Sequence, residues 1–191
     1  MRTDVLVYDG FDELDALGPY EVLSKAADVS LVSLAGAGTV TGSHGLGLAV
    51  QGRLAECELL VVPGGGWNDR AAVGAYAEAQ RGELPEAIRA LHEHGTVIAS
   101  VCTGAMLVSA AGLLRGRPAT THHRAIDALR GQGAEIVDAR VVDDGDVLSC
   151  GGVTSGIDLA LWLVERHRGA EVAHRIAAEI EHERRGPLWR R

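Results

Sequence analysis

Val97-Ile98-Ala99-Ser100-Val101-Cys102-Thr103-Gly104-Ala105-Met106-Leu107-Val108 joins two patterns at one point. Its first five residues form a short, continuous run without a charge, which suits a strand buried on both faces of a parallel sheet. From Gly104 the pattern is helical and continues to Leu114, so the chain must turn from strand to helix within Cys102-Thr103-Gly104. A corner that tight is a nucleophile elbow: it projects the cysteine side chain out of the backbone, and the glycine two positions on lets strand and helix approach closely.

Outward from this corner the same alternation repeats. Val5 to Tyr8, Asp28 to Leu34, Leu59 to Val62, Glu135 to Val137 and Val147 to Cys150 read as further strands. Glu13 to Ala26, Ala71 to Ala79, Leu84 to His94, Arg124 to Leu129, Ile157 to His167 and Glu171 to Glu183 read as helices. Strands alternating with helices predict a three-layer α/β fold with a mostly parallel central sheet. Local signals agree with the alternation. Pro85 stands near the first turn of its helix and Gly95 just past the last. Thr154 and Ser155 with Asp158 resemble a capping box, and Asp143-Asp144-Gly145-Asp146 between apolar pairs reads as a hairpin turn. No internal repeat, low-complexity tract or long linker divides the chain, so residues 1–191 are expected to form a single domain.

Composition excludes several classes of function. Lys+Arg 18 against Asp+Glu 26 gives a net charge of -8, which repels a phosphate backbone, so no nucleic-acid partner is expected. No run approaches the roughly 18 apolar residues of a membrane span, and Met1 to Tyr8 is too short and too acidic for a signal peptide. A cytoplasmic protein without a membrane partner is the expectation. The basic tail, Arg184, Arg185, Arg190 and Arg191 around Trp189, reads as a solvated end or a subunit contact. Cys57, Cys102 and Cys150 are odd in number and widely spaced, which suits neither a disulfide framework nor a structural zinc site.

In a parallel α/β sheet the functional crevice lies beyond the carboxyl ends of the strands. Three places qualify. Cys102 is the first; the amides of the following helix would point back at the sulfur and favour thiolate, although a buried inert cysteine fits the same pattern. Pro63-Gly64-Gly65-Gly66 is the second, where main-chain N–H groups could hold developing negative charge, or a glycine turn could simply reverse the chain. Asp15 is the third, anchored by Leu14, Leu17 and Val22; a carboxyl in a partly dry site can carry protons, and a helix cap is the other reading. Glu21 reads as structural. Cys57, flanked by Glu56 and Glu58, and Cys150, closing a strand, read as packing or surface residues. His92 and His94 fall on different helix faces, HExxH is absent, and His167, His174 and His182 read as a solvated face, so no metal is expected.

Together these motifs resemble the ThiJ/PfpI-like superfamily, with its class I glutamine-amidotransferase-like fold. The resemblance rests on DELDALGPYEVL, VVPGGG, ASVCTGAMLVSAAGLL, RGRPATTHH and SCGGVTSGIDLALWLVE, which span most of the chain in the family's order. Within the superfamily, the pairing of the Leu-Asp-x-x-Gly-Pro segment with Val-Cys-Thr-Gly is most similar to isocyanide hydratases. The resemblance implies a flavodoxin-like sandwich, a homodimer, Cys102 as nucleophile with Thr103 beside it, and Asp15 as the partner carboxylate. It further implies backbone donors at Gly65 or Gly66 and at Thr103, and a place for His122 near the cysteine. The chain departs from the hydratases at His123, where they commonly carry an aromatic residue, and from the Cys-His peptidases at Thr103. The same region also resembles the ligand-sensing half of AraC-type regulators, but a helix-turn-helix domain would need far more chain than the tail offers. The implied function is cofactor-free hydration of a small isocyanide to an N-formamide through a covalent thioimidate. The alternatives are a glyoxalase or deglycase acting on methylglyoxal-type carbonyls, with His122 moving protons, and a redox sensor in which Cys102 is oxidised.

Overall fold

The computed structural model describes all 191 residues, Met1–Arg191. In chain order the elements are β1 (Arg2–Leu6), α1 (Glu13–Leu23), β2 (Asp28–Ser33), β3 (Gly38–Thr41), β4 (Gly47–Val50), β5 (Gly52–Arg53), β6 (Leu59–Val62), α2 (Ala75–Arg81), α3 (Glu83–Glu93) and β7 (Val97–Val101). They continue with α4 (Gly104–Ala110), β8 (Pro118–Ala119), α5 (Ile126–Gly131), β9 (Glu135–Ile136), β10 (Val141–Asp143), β11 (Val147–Cys150), α6 (Ser155–Arg168), α7 (Ala170–Glu179) and β12 (Leu188–Arg190).

Eight strands form one sheet in the order β12-β10-β11-β7-β6-β1-β2-β5. Every neighbouring pair is parallel except β10 with β11, which the Asp143–Asp146 turn joins as an antiparallel hairpin. Helices α1, α6 and α7 pack together on one face, and α2, α3, α4 and α5 on the other. The central strands β6, β7 and β11 alternate little because both faces are covered; all of β6 and β11 is buried, and β7 is buried from Ile98 onward. This is the three-layer architecture expected of the alternation.

Several boundaries differ from the expectation for local reasons. The Ala71 to Ala79 pattern becomes a helix only at Ala75, because Gly74 takes φ +104 and residues 67–74 are drawn across the strand ends. The segment expected to cap α6 as a box does not do so. Thr154 is already helical and makes no side-chain cap, while Asp158 instead accepts from Arg140 Nε (2.6 Å), His182 Nε2 (3.0 Å) and the Arg185 amide (3.1 Å). His182 is therefore a partner of a buried carboxylate and no part of a solvated face. The arginine-rich tail is likewise no loose end: Leu188–Arg190 pairs in parallel with β10 and extends the sheet. Outside the sheet, the β3–β4 ribbon (Gly38–Thr41 with Gly47–Val50) is a further element that the periodicity did not announce.

Helix α4 presses its first turn onto the end of β6. A Cβ on Gly104 would overlap the Val62 carbonyl oxygen and lie 2.8 Å from that of Pro63, and a Cβ on Gly64 would lie 2.6 Å from the Thr103 nitrogen. Only backbone can occupy this seam. Gly104→Ala is expected to destabilise the protein by about 1–3 kcal/mol, the usual cost of overpacking, and so to lower the urea midpoint. Gly131→Ala at the end of α5, where an added Cβ meets nothing within 4 Å, should leave the midpoint unchanged or raise it.

Candidate active site

Three strand ends bring the site together. After β1 the chain passes Tyr8 and enters α1, with Asp12 as N-cap accepting from the Leu14 amide (3.2 Å). Capping thus falls to Asp12, which frees Asp15 to point into the protein, where it is fully buried. After β6 comes Pro63-Gly64-Gly65-Gly66, and the Gly64 N–H donates to Asp15 Oδ2 at 3.0 Å. After β7 stands Cys102, at φ +56, a left-handed conformation costly for a side chain with a Cβ. The elbow holds because its main chain is tied on both sides. Cys102 N–H donates to the Gly151 carbonyl (3.2 Å), and its own carbonyl accepts from the Thr121 hydroxyl (2.7 Å).

The structure brings Cys102, Asp15, Thr103, Gly65, Gly66 and His122 to one place, with two corrections to their expected roles. The Gly65 amide is already engaged, donating to Thr103 Oγ1 at 3.0 Å, so it is not an oxyanion donor. The Gly66 amide donates to nothing in the chain, and the Thr103 hydroxyl keeps its own proton to give. The second correction concerns the sulfur. Cys102 is 6% exposed rather than open, and burial first, then the Asp15 carboxyl, push its thiol well above the ordinary range, with the Thr103 amide only partly opposing them. Burial thus opposes the easy ionisation expected of a cysteine at a helix start.

Asp15 is raised as well, to about 8, by burial and then by the Asp12 charge, while the Gly64 amide and Cys102 pull the other way. Its Oδ1 is buried without an aligned donor, and the neighbouring Cys102 thiol is the side chain that interacts with this carboxyl. The two form a coupled pair whose titration belongs to both groups together, and the dry site favours the protonated form of each.

Beside the sulfur lies a cavity of ≈ 150 Å³ lined by Gly65, Gly66, Trp67, Thr103, His122 and Val153 together with Cys102, and by the polar Asp12, Asn68, Asp69 and Arg124. A wider groove of ≈ 760 Å³ along Val7, Ser33, Val40 and Leu84 contains no cysteine or histidine. His122 packs its ring on the backbone of Gly152. Its Nδ1 accepts from the Arg124 amide at 3.2 Å, which assigns the ring proton to Nε2. Burial, then the charges of His123 and Arg124, lower its affinity for a second proton, so the ring is neutral at pH 7.

Other candidates fall outside this site. Cys57, partly buried, is pushed up to about 11 by burial and then Asp4, and Cys150 is wholly buried. Glu21 is exposed and pairs with Lys25 (3.2 Å), with no part in supporting Asp15. No three His, Cys, Asp or Glu side chains converge as metal ligands would. The residues that the sequence reading missed are Tyr8, Trp67, Arg124 and Val153. Tyr8 could have been found as the last residue of a buried apolar run; the remaining three have no signal of their own.

Strand ends converging on a cysteine elbow, a buried carboxyl and a glycine-lined cavity define a class of three-layer α/β proteins centred on one cysteine. Residues 1–166 match the DJ-1/PfpI family, and the chain belongs to it. It is 35% identical to the isonitrile hydratase of Pseudomonas putida over 95% of this chain and 78% of that protein. It is 30% identical to a deglycase of Pyrococcus abyssi over 78% of this chain and 89% of the other. Among solved structures, a ThiJ/PfpI family protein from Pseudomonas syringae superposes with a TM-score of 0.85 at 29% identity, over 97% of this chain and 76% of that one. DJ-1beta of Drosophila melanogaster gives 0.83 at 21% identity, over 95% and 98%, a likeness of fold.

The ionisation of the pair can be tested without substrate. Cys102 should react with iodoacetamide at pH 7 more slowly than a thiol in an unstructured peptide, and Asp15→Asn should speed that reaction by removing the carboxyl that opposes thiolate. Labelling faster than the peptide, or unchanged in Asp15→Asn, would overturn this account. Stability follows from the same carboxyl. Because its folded value lies above the ordinary 3.8, the native state retains a proton that the unfolded chain releases. Its contribution is therefore greatest at acid pH and is lost as pH rises from about 4 through 8; wild type should lose more stability over that range than Asp15→Asn.

Proposed function

We propose that this protein hydrates a small isocyanide to the corresponding N-formamide, with Cys102 as nucleophile and Asp15 as the group that carries protons. The observation that supports this most directly is the buried pairing of one thiol with one carboxyl beneath a cavity of ≈ 150 Å³. That space suits a small molecule, and no cofactor is needed for the steps below.

In the reactive form the pair holds one proton. Asp15 takes it from the Cys102 thiol as the sulfur attacks the terminal carbon of the isocyanide, and returns it to that carbon as the C–S bond forms, giving a thioimidate, R–N=CH–S. Water then adds. Its hydroxyl goes to the carbon and its proton, handled by Asp15, to the nitrogen; negative charge that develops meets the free Gly66 N–H and the Thr103 hydroxyl. Collapse expels the sulfur with the hydroxyl proton and leaves R–NH–CHO. The sum is isocyanide plus water, with the enzyme restored. The hydratase relative from Pseudomonas putida supports the same substrate class.

A second reading, a deglycase or glyoxalase acting on methylglyoxal-type carbonyls, is favoured by His122. Its neutral ring places an Nε2–H in the wall of the cavity, and deglycases are among the relatives. A redox sensor gains less support, since oxidation selects exposed thiolates and this sulfur is a buried thiol. We also propose that the chain works as a homodimer, which elution at twice the chain mass would test.

Turnover of a small alkyl isocyanide by the purified protein decides the matter. Cys102→Ser and Asp15→Asn should each lose activity by at least about 10³-fold, a scale typical of removing a nucleophile or its proton carrier, while His122→Ala stays within about tenfold. Wild-type kcat/KM should rise with pH toward the carboxyl's value of about 8, because the doubly protonated pair is idle. Lactate from methylglyoxal, lost in His122→Ala and without formamide from any isocyanide, would instead establish the second reading.

A further inference from the structure

Tyr8 is buried two residues past the end of β1, and its hydroxyl hydrogen-bonds none of the groups to which the reaction assigns a role. Its hydroxyl donates to the Pro63 carbonyl at 2.6 Å, with a weaker reach to the Gly64 carbonyl at 3.3 Å. The Pro63 carbonyl and the Gly64 N–H belong to a single peptide unit, and that N–H donates to Asp15 Oδ2 at 3.0 Å. The phenol and the carboxyl are therefore connected through one planar, polarisable amide, O–H to O=C–N–H to carboxylate. Donation to the oxygen of an amide draws electrons from its nitrogen and makes its N–H a stronger donor, and a buried, low-dielectric site preserves that gain. The chain holds three tyrosines; this one follows β1, the strand beside β6, and hydrogen-bonds the peptide that binds the carboxyl.

We propose that Tyr8 is a positioning residue for the Asp15–Cys102 pair, which holds the Pro63–Gly64 peptide in place and strengthens its hydrogen bond to the Asp15 carboxylate. This rests on the reading that Asp15 carries the protons. It means that the proton affinity of the carboxyl is set from two sides. Burial and the charge of Asp12 raise it, while the peptide that Tyr8 holds draws it down. The other ionisable groups around the site are Cys102 at the elbow, Cys150 on β11 and, towards the Tyr8 side, Glu78 on α2. Helix α6 presents the apolar Gly156 and Ile157 to α1. A change at Tyr8 replaces none of these groups, which makes the phenol a handle on the carboxyl.

Two replacements with opposite expected signs test the idea. Tyr8→Phe removes the hydroxyl, and difluorotyrosine introduced at position 8 by codon suppression makes it a stronger donor. The readout is the titration midpoint of Asp15, followed by carboxyl carbon NMR without substrate, alongside the acid limb of kcat/KM for the isocyanide. Tyr8→Phe should move both upward by on the order of 0.5 pH unit, the size expected when a charge-assisted hydrogen bond loses its cooperative partner, and the fluorinated phenol should move them down. A cavity or a loss of stability cannot give shifts of opposite sign. Should Tyr8→Phe fail to fold, the fluorinated protein alone still decides, by a downward shift or none. An unmoved midpoint, or a shift in the same direction in both proteins, would overturn the proposal. If the midpoint responds to Tyr8 but no isocyanide is turned over, the role of Tyr8 stands and the hydratase reading falls.

Discussion

The seam where three strand ends meet without side chains is the constraint on which the rest of this molecule depends. Gly64 and Gly104 let the first turn of α4 rest directly on the end of β6, and any Cβ there would meet main-chain atoms. That contact delivers Cys102 at φ +56 beside a carboxyl from helix α1. The strain of a non-glycine residue in this conformation is on the order of 1–3 kcal/mol. It is offset by hydrogen bonds on both sides of the elbow, to the Gly151 carbonyl and from the Thr121 hydroxyl. Rigidity at the seam and reactivity at the corner are consequences of the same close approach.

Dryness is the second theme. A sulfur at a helix start is usually expected to ionise easily, yet here burial and a facing carboxyl outweigh the nearby amides. The same dryness raises the carboxyl's affinity for a proton. Such a pair suits chemistry in which a proton must leave the sulfur and reach the carbon of a neutral substrate, because once it holds a single proton the carboxylate can take that proton from the sulfur and pass it on without charge entering from solvent. The open glycine amide at Gly66 then has charge to stabilise only after attack, which is where electrostatic stabilisation accelerates a reaction.

The alternation of buried strands and amphipathic helices was legible because each has its own period, and β6, β7 and β11 fall on the residues where their apolar runs stand. Cys102 and Asp15 were legible for a related reason, since both follow the first turn-rich break after a buried strand. Elements held mainly by partners distant in the chain were not. β12 is three residues long and is a strand only because β10 lies beside it, and His182 looked solvated until Asp158 came to it from α6. Thr154 and Ser155 read as a cap, but Asp158 is claimed by Arg140, a stronger partner than an amide.

From its own residues the chain determined which segments are strands and where the cysteine corner falls, since periodicity and glycine placement are properties of local order. Only the tertiary structure decided which groups touch. It assigned capping to Asp12 and burial to Asp15, occupied the Gly65 amide with Thr103, set burial and a carboxyl against ionisation of Cys102, and linked Tyr8 to the carboxyl through a peptide more than fifty residues away in sequence. The physical reason is that desolvation and hydrogen bonding depend on distances between residues far apart in the chain, and no local pattern encodes those distances.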